Sequence, residues 1–125
     1  MKKSEIAIFI PARLNSQRLP NKLFLKFDNL EMIEIVRRRA LLNFYNIPVF
    51  VITGDKKVLS LIQKYGGKTI QTFEKHENGL SRSIEANSYY NFSKIVLLQG
   101  DEVLVDPSNL DLLISKILDD EYDAI

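Results

Sequence analysis

Apolar residues along this chain fall in short unbroken blocks, separated by stretches where they recur every three or four positions. Ile6-Ala7-Ile8-Phe9-Ile10 is apolar at every position, and a strand apolar on both faces is one buried in a parallel sheet. The spacing of Met32, Ile33, Val36, Ala40 and Phe44 predicts a helix from Glu31 to about Phe44 with these residues on one side. Pro48 then opens a second buried strand, Val49 to Thr53, and Gly54-Asp55 turns into a helix with Val58, Leu59, Ile62 and Tyr65 on its buried stripe. Gly66-Gly67 closes that helix in the manner of a C-terminal cap. Lys68 to Thr72 reads as a short third strand, and a polar loop from Phe73 to Gly79 leads to a weaker helix from about Leu80 to Tyr90. Lys94 to Gln99 is a fourth strand. Pro107 starts the clearest helix, with Leu110, Leu113, Ile114, Ile117 and Leu118 on one stripe, and Tyr122 to Ile125 reads as a further strand barely begun.

Strands alternating with amphipathic helices imply an α/β fold: a mostly parallel sheet, Rossmann-like, with helices on both faces. The 125 residues suffice for one domain with a real core. No repeat, linker or low-complexity segment divides them, so residues 1–125 are expected to form a single α/β domain. The strand cut short at Ile125 points to a fragment or a truncated product.

Net charge is +1, which gives no global attraction to nucleic acid or to a membrane. The distribution says more. From Ile6 to Phe27 there is no acid, but there are Arg13, Arg18, Lys22 and Lys26; from Asp101 to Asp123 eight acids face the single Lys116. The first segment favours an anion, and the second holds a candidate cation ligand. The chain has no cysteine, which excludes disulfides, thiolate zinc sites and a cysteine nucleophile. Met1 to Glu5 is too short and polar for a signal peptide, and no stretch reaches the roughly 20 apolar residues of a membrane span. A cytoplasmic location is the default expectation.

Ligands of open parallel sheets bind beyond the carboxyl ends of the strands. Three segments are expected there: the basic run from Pro11 to Lys22, Thr53-Gly54-Asp55, and Gln99-Gly100-Asp101-Glu102. In the first, Arg13 and Arg18 can fork onto phosphate oxygens, Lys22 adds a compact charge, and Pro11 and Pro20 restrain the loop. No Gly-x4-Gly-Lys-Ser/Thr or Gly-x-Gly-x-x-Gly is present, so a phosphate would be held here by side chains rather than by glycines; the other reading is a solvated basic loop that only connects strand to helix. Asp101 follows a buried strand directly, and its carboxylate suits Mg2+. Asp106 is the better cap for the helix at Pro107. His76, the one histidine, reads as a surface residue or a local hydrogen-bond partner, and Tyr89, Tyr90 and Phe92 read as packing.

Ile10-Pro11-Ala12-Arg13, with Ser16 and Arg18-Leu19-Pro20 and Lys22, resembles the opening signature of the sugar-acid cytidylyltransferases, in particular their 3-deoxy-manno-octulosonate (CMP-Kdo synthetase) branch. Met32-Ile33, Val36 and Arg39-Ala40 resemble that family's first helix, and Gln99-Gly100-Asp101-Glu102 its Gln-Gly-Asp-Glu-Pro motif. The resemblance implies a fold of the nucleotide-diphospho-sugar transferase (GT-A-like) type, of which this chain is the N-terminal half. It also implies a reaction: the anomeric hydroxyl of a 2-keto sugar acid attacks the α-phosphate of CTP, with Mg2+ as cofactor, as in lipopolysaccharide biosynthesis. It implies that Arg13, Ser16, Arg18 and Lys22 hold the triphosphate, with Lys22 nearest the reacting phosphorus. Ala12 would offer backbone contacts, Gln99 would line the nucleotide and sugar site, and Asp101 would bind the metal. Arg82 would contact the nucleotide. Full-length members are expected to be homodimers.

The chain departs from the family in places. His76-Glu77-Asn78-Gly79-Leu80-Ser81-Arg82 stands where the family has His-x-Ser-Gly-Thr-Asp/Glu-Arg, so Leu80, placed at the expected nucleotide pocket, removes a polar group from it. Thr53-Gly54 stands for Thr-Asp, and Val103 for proline. Two other readings accompany the first: a non-catalytic nucleotide-binding remnant, and a related nucleotidyltransferase for another surface-glycan sugar.

Overall fold

A computed structural model describes residues 5–13, 25–27, 30–100 and 106–119. Ser16, Arg18, Lys22, Asp101 and the strand expected at Tyr122 to Ile125 lie outside these. Four parallel strands form one sheet in the order β5-β4-β1-β6: β1 is Ile6–Pro11, β4 Val49–Thr53, β5 Lys68–Gln71 and β6 Lys94–Leu97. The register sets Ile8 of β1 against Val49 on one side and Val96 on the other. Strand β1 is thus the point where the chain, having built outward through β4 and β5, reverses to place β6 on the opposite side. A parallel sheet has its natural ligand crevice at such a reversal.

The alternation within β1 explains both faces. Ile6, Ile8 and Ile10 point into a core with Val49, Val51, Val96 and three helices: α1 (Met32–Leu41), α2 (Lys56–Lys64) and α4 (Pro107–Leu118). Ala7 and Phe9 point the other way, to Phe50, Ile52, Ile70 and the single helix α3 (Gly79–Asn87) through its Ala86. Among the described residues, helices therefore cover both faces as expected, but three to one. A short antiparallel pair, β2 (Lys26–Phe27) with β3 (Leu30–Glu31), precedes α1 and was not legible in the periodicity.

Two helices end earlier than their apolar spacing predicts, for the same reason. After α1, the Asn43 side chain donates to the carbonyls of Ala40 and Ile47 and accepts from the Ile47 N–H. That turn leaves Phe44 77% exposed, edge-on to Tyr45 rather than on the buried stripe. After α3, Asn87 likewise accepts from the Phe92 N–H and donates to the Phe92 carbonyl. Each turn contains an asparagine with positive φ, Asn46 and Asn91, the conformation this residue tolerates best after glycine. Phe92 packs as expected, edge-on to Phe9, and Tyr90, itself half exposed, stacks on it. Tyr89 is half exposed, and its hydroxyl donates to Glu85.

Candidate functional site

A crevice of about 350 Å³ opens at the carboxyl end of β1. Pro11, Ala12 and Arg13 form one wall, His76 to Gly79 with Arg82 form the other, and Gln99, two residues past β6, adds to it. Of the expected site residues, Ala12, Arg13, Arg82 and Gln99 thus come together. Ala12 is buried and donates its N–H to the Ile52 carbonyl, which continues the pairing with β4 one residue past β1 and fixes where Arg13 leaves the sheet.

Arg82 reaches the crevice from the first turn of α3, and one guanidinium nitrogen donates to Thr72 Oγ1 at 2.6 Å. Thr72 is itself buried, with its N–H on the Thr53 carbonyl. Burial pulls the Arg82 guanidinium below its ordinary value, Asp55 and Glu85 pull it back up, and Arg13 pushes it down again. An arginine in this state stays charged. Two such cations near one crevice repel each other, and an anion between them relieves that repulsion. Of Thr53-Gly54-Asp55, none lines the crevice among the described residues, yet the segment supports it. A Cβ on Gly54 would come within 3.0 Å of the Thr72 carbonyl, so glycine lets the backbone of Arg82's partner Thr72 approach closely.

The second wall is held from behind by Glu85. Its Oε2 accepts from the Phe73 N–H and the Tyr89 hydroxyl, and its Oε1 from the Glu74 N–H and from His76 Nε2 at 2.7 Å. Burial works against the charge on Glu85, but these four hydrogen bonds outweigh it and bring the carboxyl down to about 2. His76 is thus the local hydrogen-bond partner its isolation implied, with Nδ1 3.2 Å from Ser81 Oγ. Glu74, His76 and Glu85 bring possible ligand atoms within 4.8 Å of one another. Both Glu85 oxygens are already engaged, so the group is a hydrogen-bonded brace rather than a metal site.

Asn78 caps α3 by accepting from the Ser81 N–H at 2.8 Å, and Asp106 caps α4 through Ser108 as expected. Leu80 is a correction. It is 62% exposed and lines a separate apolar depression with Ile84, Leu97 and Leu113, not the crevice. The reason is helix geometry. Gly79, Ser83 and Ala86 face the sheet, Arg82 lies one turn from Gly79 on the crevice side, and position 80 turns a further hundred degrees or so away. The roles of Pro11, Asn78 and Gly79 in the crevice walls were not assigned from sequence, since no periodicity marks them.

Over residues 7–125 the chain matches the family described as cytidylyltransferase. It is 37% identical over 117 residues to the 3-deoxy-manno-octulosonate cytidylyltransferase of Escherichia coli, covering 94% of this chain and 48% of that protein. To the same-named protein of Leptospira interrogans serogroup Icterohaemorrhagiae serovar Lai it is 37% identical over 103 residues, covering 82% and 42%. The solved structure of CMP:2-keto-3-deoxy-manno-octonic acid synthetase complexed with CTP superposes with a TM-score of 0.87 at 36% identity, covering 92% of this chain and 48% of that one. The chain spans about half the length of the relatives it matches. No helix among the described residues is long and apolar enough to cross a membrane. With a match that runs through both walls of the crevice, from the strand that leads to Arg13 to the helix that carries Arg82, the chain belongs to the cytidylyltransferase family.

Proposed function

We propose that this chain forms the CTP-binding half of an enzyme that transfers a cytidylyl group to a 2-keto sugar acid of the 3-deoxy-manno-octulosonate type. One observation carries the reading: Arg13 and Arg82, from different elements, line one crevice at the reversal point of the sheet. Its likeness to a synthetase solved with CTP supports the choice of nucleotide.

In the reaction, the anomeric hydroxyl of the sugar acid attacks the α-phosphorus of CTP. A new P–O bond forms, the bond to the β-phosphate oxygen breaks, pyrophosphate leaves, and the hydroxyl loses its proton. Little covalent chemistry falls to the protein; the work is alignment and stabilisation of charge on the phosphate oxygens. Arg13 and Arg82 hold the anion from two sides. In this reading Ser16, Arg18 and Lys22 complete the triphosphate contacts, with Lys22 at the reacting phosphorus, while Ala12 and Gln99 border the nucleotide. Asp101 would hold Mg2+. Its carboxylate is the hard oxygen donor that this ion takes, and it comes two residues after Gln99 in the crevice wall. When bound, the ion supplies further charge neutralisation on the phosphates.

The test is the melting temperature of the chain with CTP, UTP, ATP and GTP, each with and without Mg2+. CTP in hundredfold excess over Kd should stabilise by about 2.7 kcal/mol, a rise of roughly 10 °C for a domain this size. The rise should grow with Mg2+ and disappear in Arg82→Ala. An equal rise with all four nucleotides would reduce the site to a triphosphate binder, and no rise with any would overturn the reading.

A further inference from the structure

Gly79 is the first residue of α3, directly after its N-cap Asn78. Backbone geometry does not call for a glycine there. Among the described glycines only Gly66 has a positive φ. What Gly79 lacks is a Cβ, and one placed there would lie 2.7 Å from Pro11 Cγ and 3.3 Å from Pro11 Cβ. Neither partner can yield. The Pro11 ring is rigid, and its backbone is the last of β1, in register with Ile52. On the other side, Ser83 Oγ donates to the Gly79 carbonyl at 2.7 Å, and Ser83 and Ala86 are the buried residues of α3. The face that α3 turns to the sheet is therefore small throughout, and its first turn rests on Pro11.

We infer that Pro11 and Gly79 form a seat that sets the width of the crevice, and so act as a positioning pair for the nucleotide. Arg13 follows Pro11 by two residues, and Arg82 lies one turn beyond Gly79, so a shift at the seat is passed to both cations. The inference rests on the nucleotide reading above and names the contact that spaces its two walls. Gly79 is thereby assigned a positioning role, not a catalytic one.

The test uses the full chain with Gly79→Ala and with the double variant Pro11→Ala/Gly79→Ala, in which Pro11 Cγ, the atom that meets the new methyl at 2.7 Å, is gone. CTP affinity is measured by titration well below the unfolding temperature, so that a loss of stability alone does not register. Gly79→Ala should weaken CTP binding by roughly ten- to a hundredfold, the scale of a displacement of about 1 Å in a binding constellation. The double variant should recover most of it. Affinity unchanged in Gly79→Ala, or a double variant no better than the single, would overturn the inference. If the unsubstituted chain binds no CTP, the nucleotide reading fails, and the seat is decided by amide hydrogen exchange across Gly79–Asn87. Faster exchange in Gly79→Ala that the second substitution slows again would uphold it, and unchanged exchange would overturn it.

Discussion

Glu85 shows how much of the site depends on a residue that never enters it. Its carboxylate gathers two backbone N–H groups, a histidine and a tyrosine, and so fixes residues 73 to 76 behind the second crevice wall. Its pKa falls from 4.5 to about 2 on folding. A carboxyl lowered in the folded state adds stability that is complete above the unfolded value and lost as pH falls through the folded one. The chain should therefore lose stability between pH 4.5 and pH 2 by more than Glu85→Gln loses over the same range. Melting curves across that window, for both proteins, check it; parallel curves would remove Glu85 from the account. None of this was legible in the sequence. Glu85 is one acid among sixteen, and its partners at 73, 74 and 76 lie 9 to 12 residues away along the chain, a spacing no helical or strand period marks. Arg13 was legible, because a cation just past a buried strand has only one place to be.

At the level of elements, strands were easier to place than helix ends. Four of the predicted strands are present within two residues, since continuous apolar runs bounded by polar turns admit little else. The ends of α1 and α3 are decided instead by Asn43 and Asn87, whose side-chain amides capture a backbone N–H and carbonyl four or five residues on. An asparagine gives no sign in the sequence of which backbone it will bind. The cost of removing one is predictable once it is seen. Asn43 is buried, and so is Ile47, whose N–H and carbonyl it satisfies. Asn43→Ala should cost about 1–3 kcal/mol, the penalty for leaving buried backbone groups unpaired. Asp106→Ala, which removes an exposed cap from α4, should cost about 1 kcal/mol. Denaturant midpoints of the two variants compare them directly; an Asn43→Ala no more costly than Asp106→Ala would mean that water replaces the amide.

Among the described residues the sheet is covered unequally, and the site lies on its lighter side. Three helices bury the Ile6, Ile8 and Ile10 face of the sheet, while α3 alone covers the Ala7 and Phe9 face and buries only Ser83 and Ala86 of its own residues. Local opening follows the amount of apolar burial that holds an element down. Amides of α3 should thus exchange before those of α1, and under the proposed function CTP, bridging Arg82 to the end of β1, should slow α3 more than α1. Hydrogen exchange followed segment by segment checks both, and equal protection of the two helices would contradict the first. The two-sided covering was readable from the apolar runs, but the three-to-one division was not, because it depends on the strand order. That order has a consequence in time as well as in space. Ile8 pairs with Val96, so β1 waits on the ribosome for a neighbour made 88 residues later. At about 5–20 residues per second that is roughly 4 to 18 seconds. Throughout that interval one edge of the most apolar strand in the chain has no partner, and the nascent protein must be kept from other strands until β6 emerges.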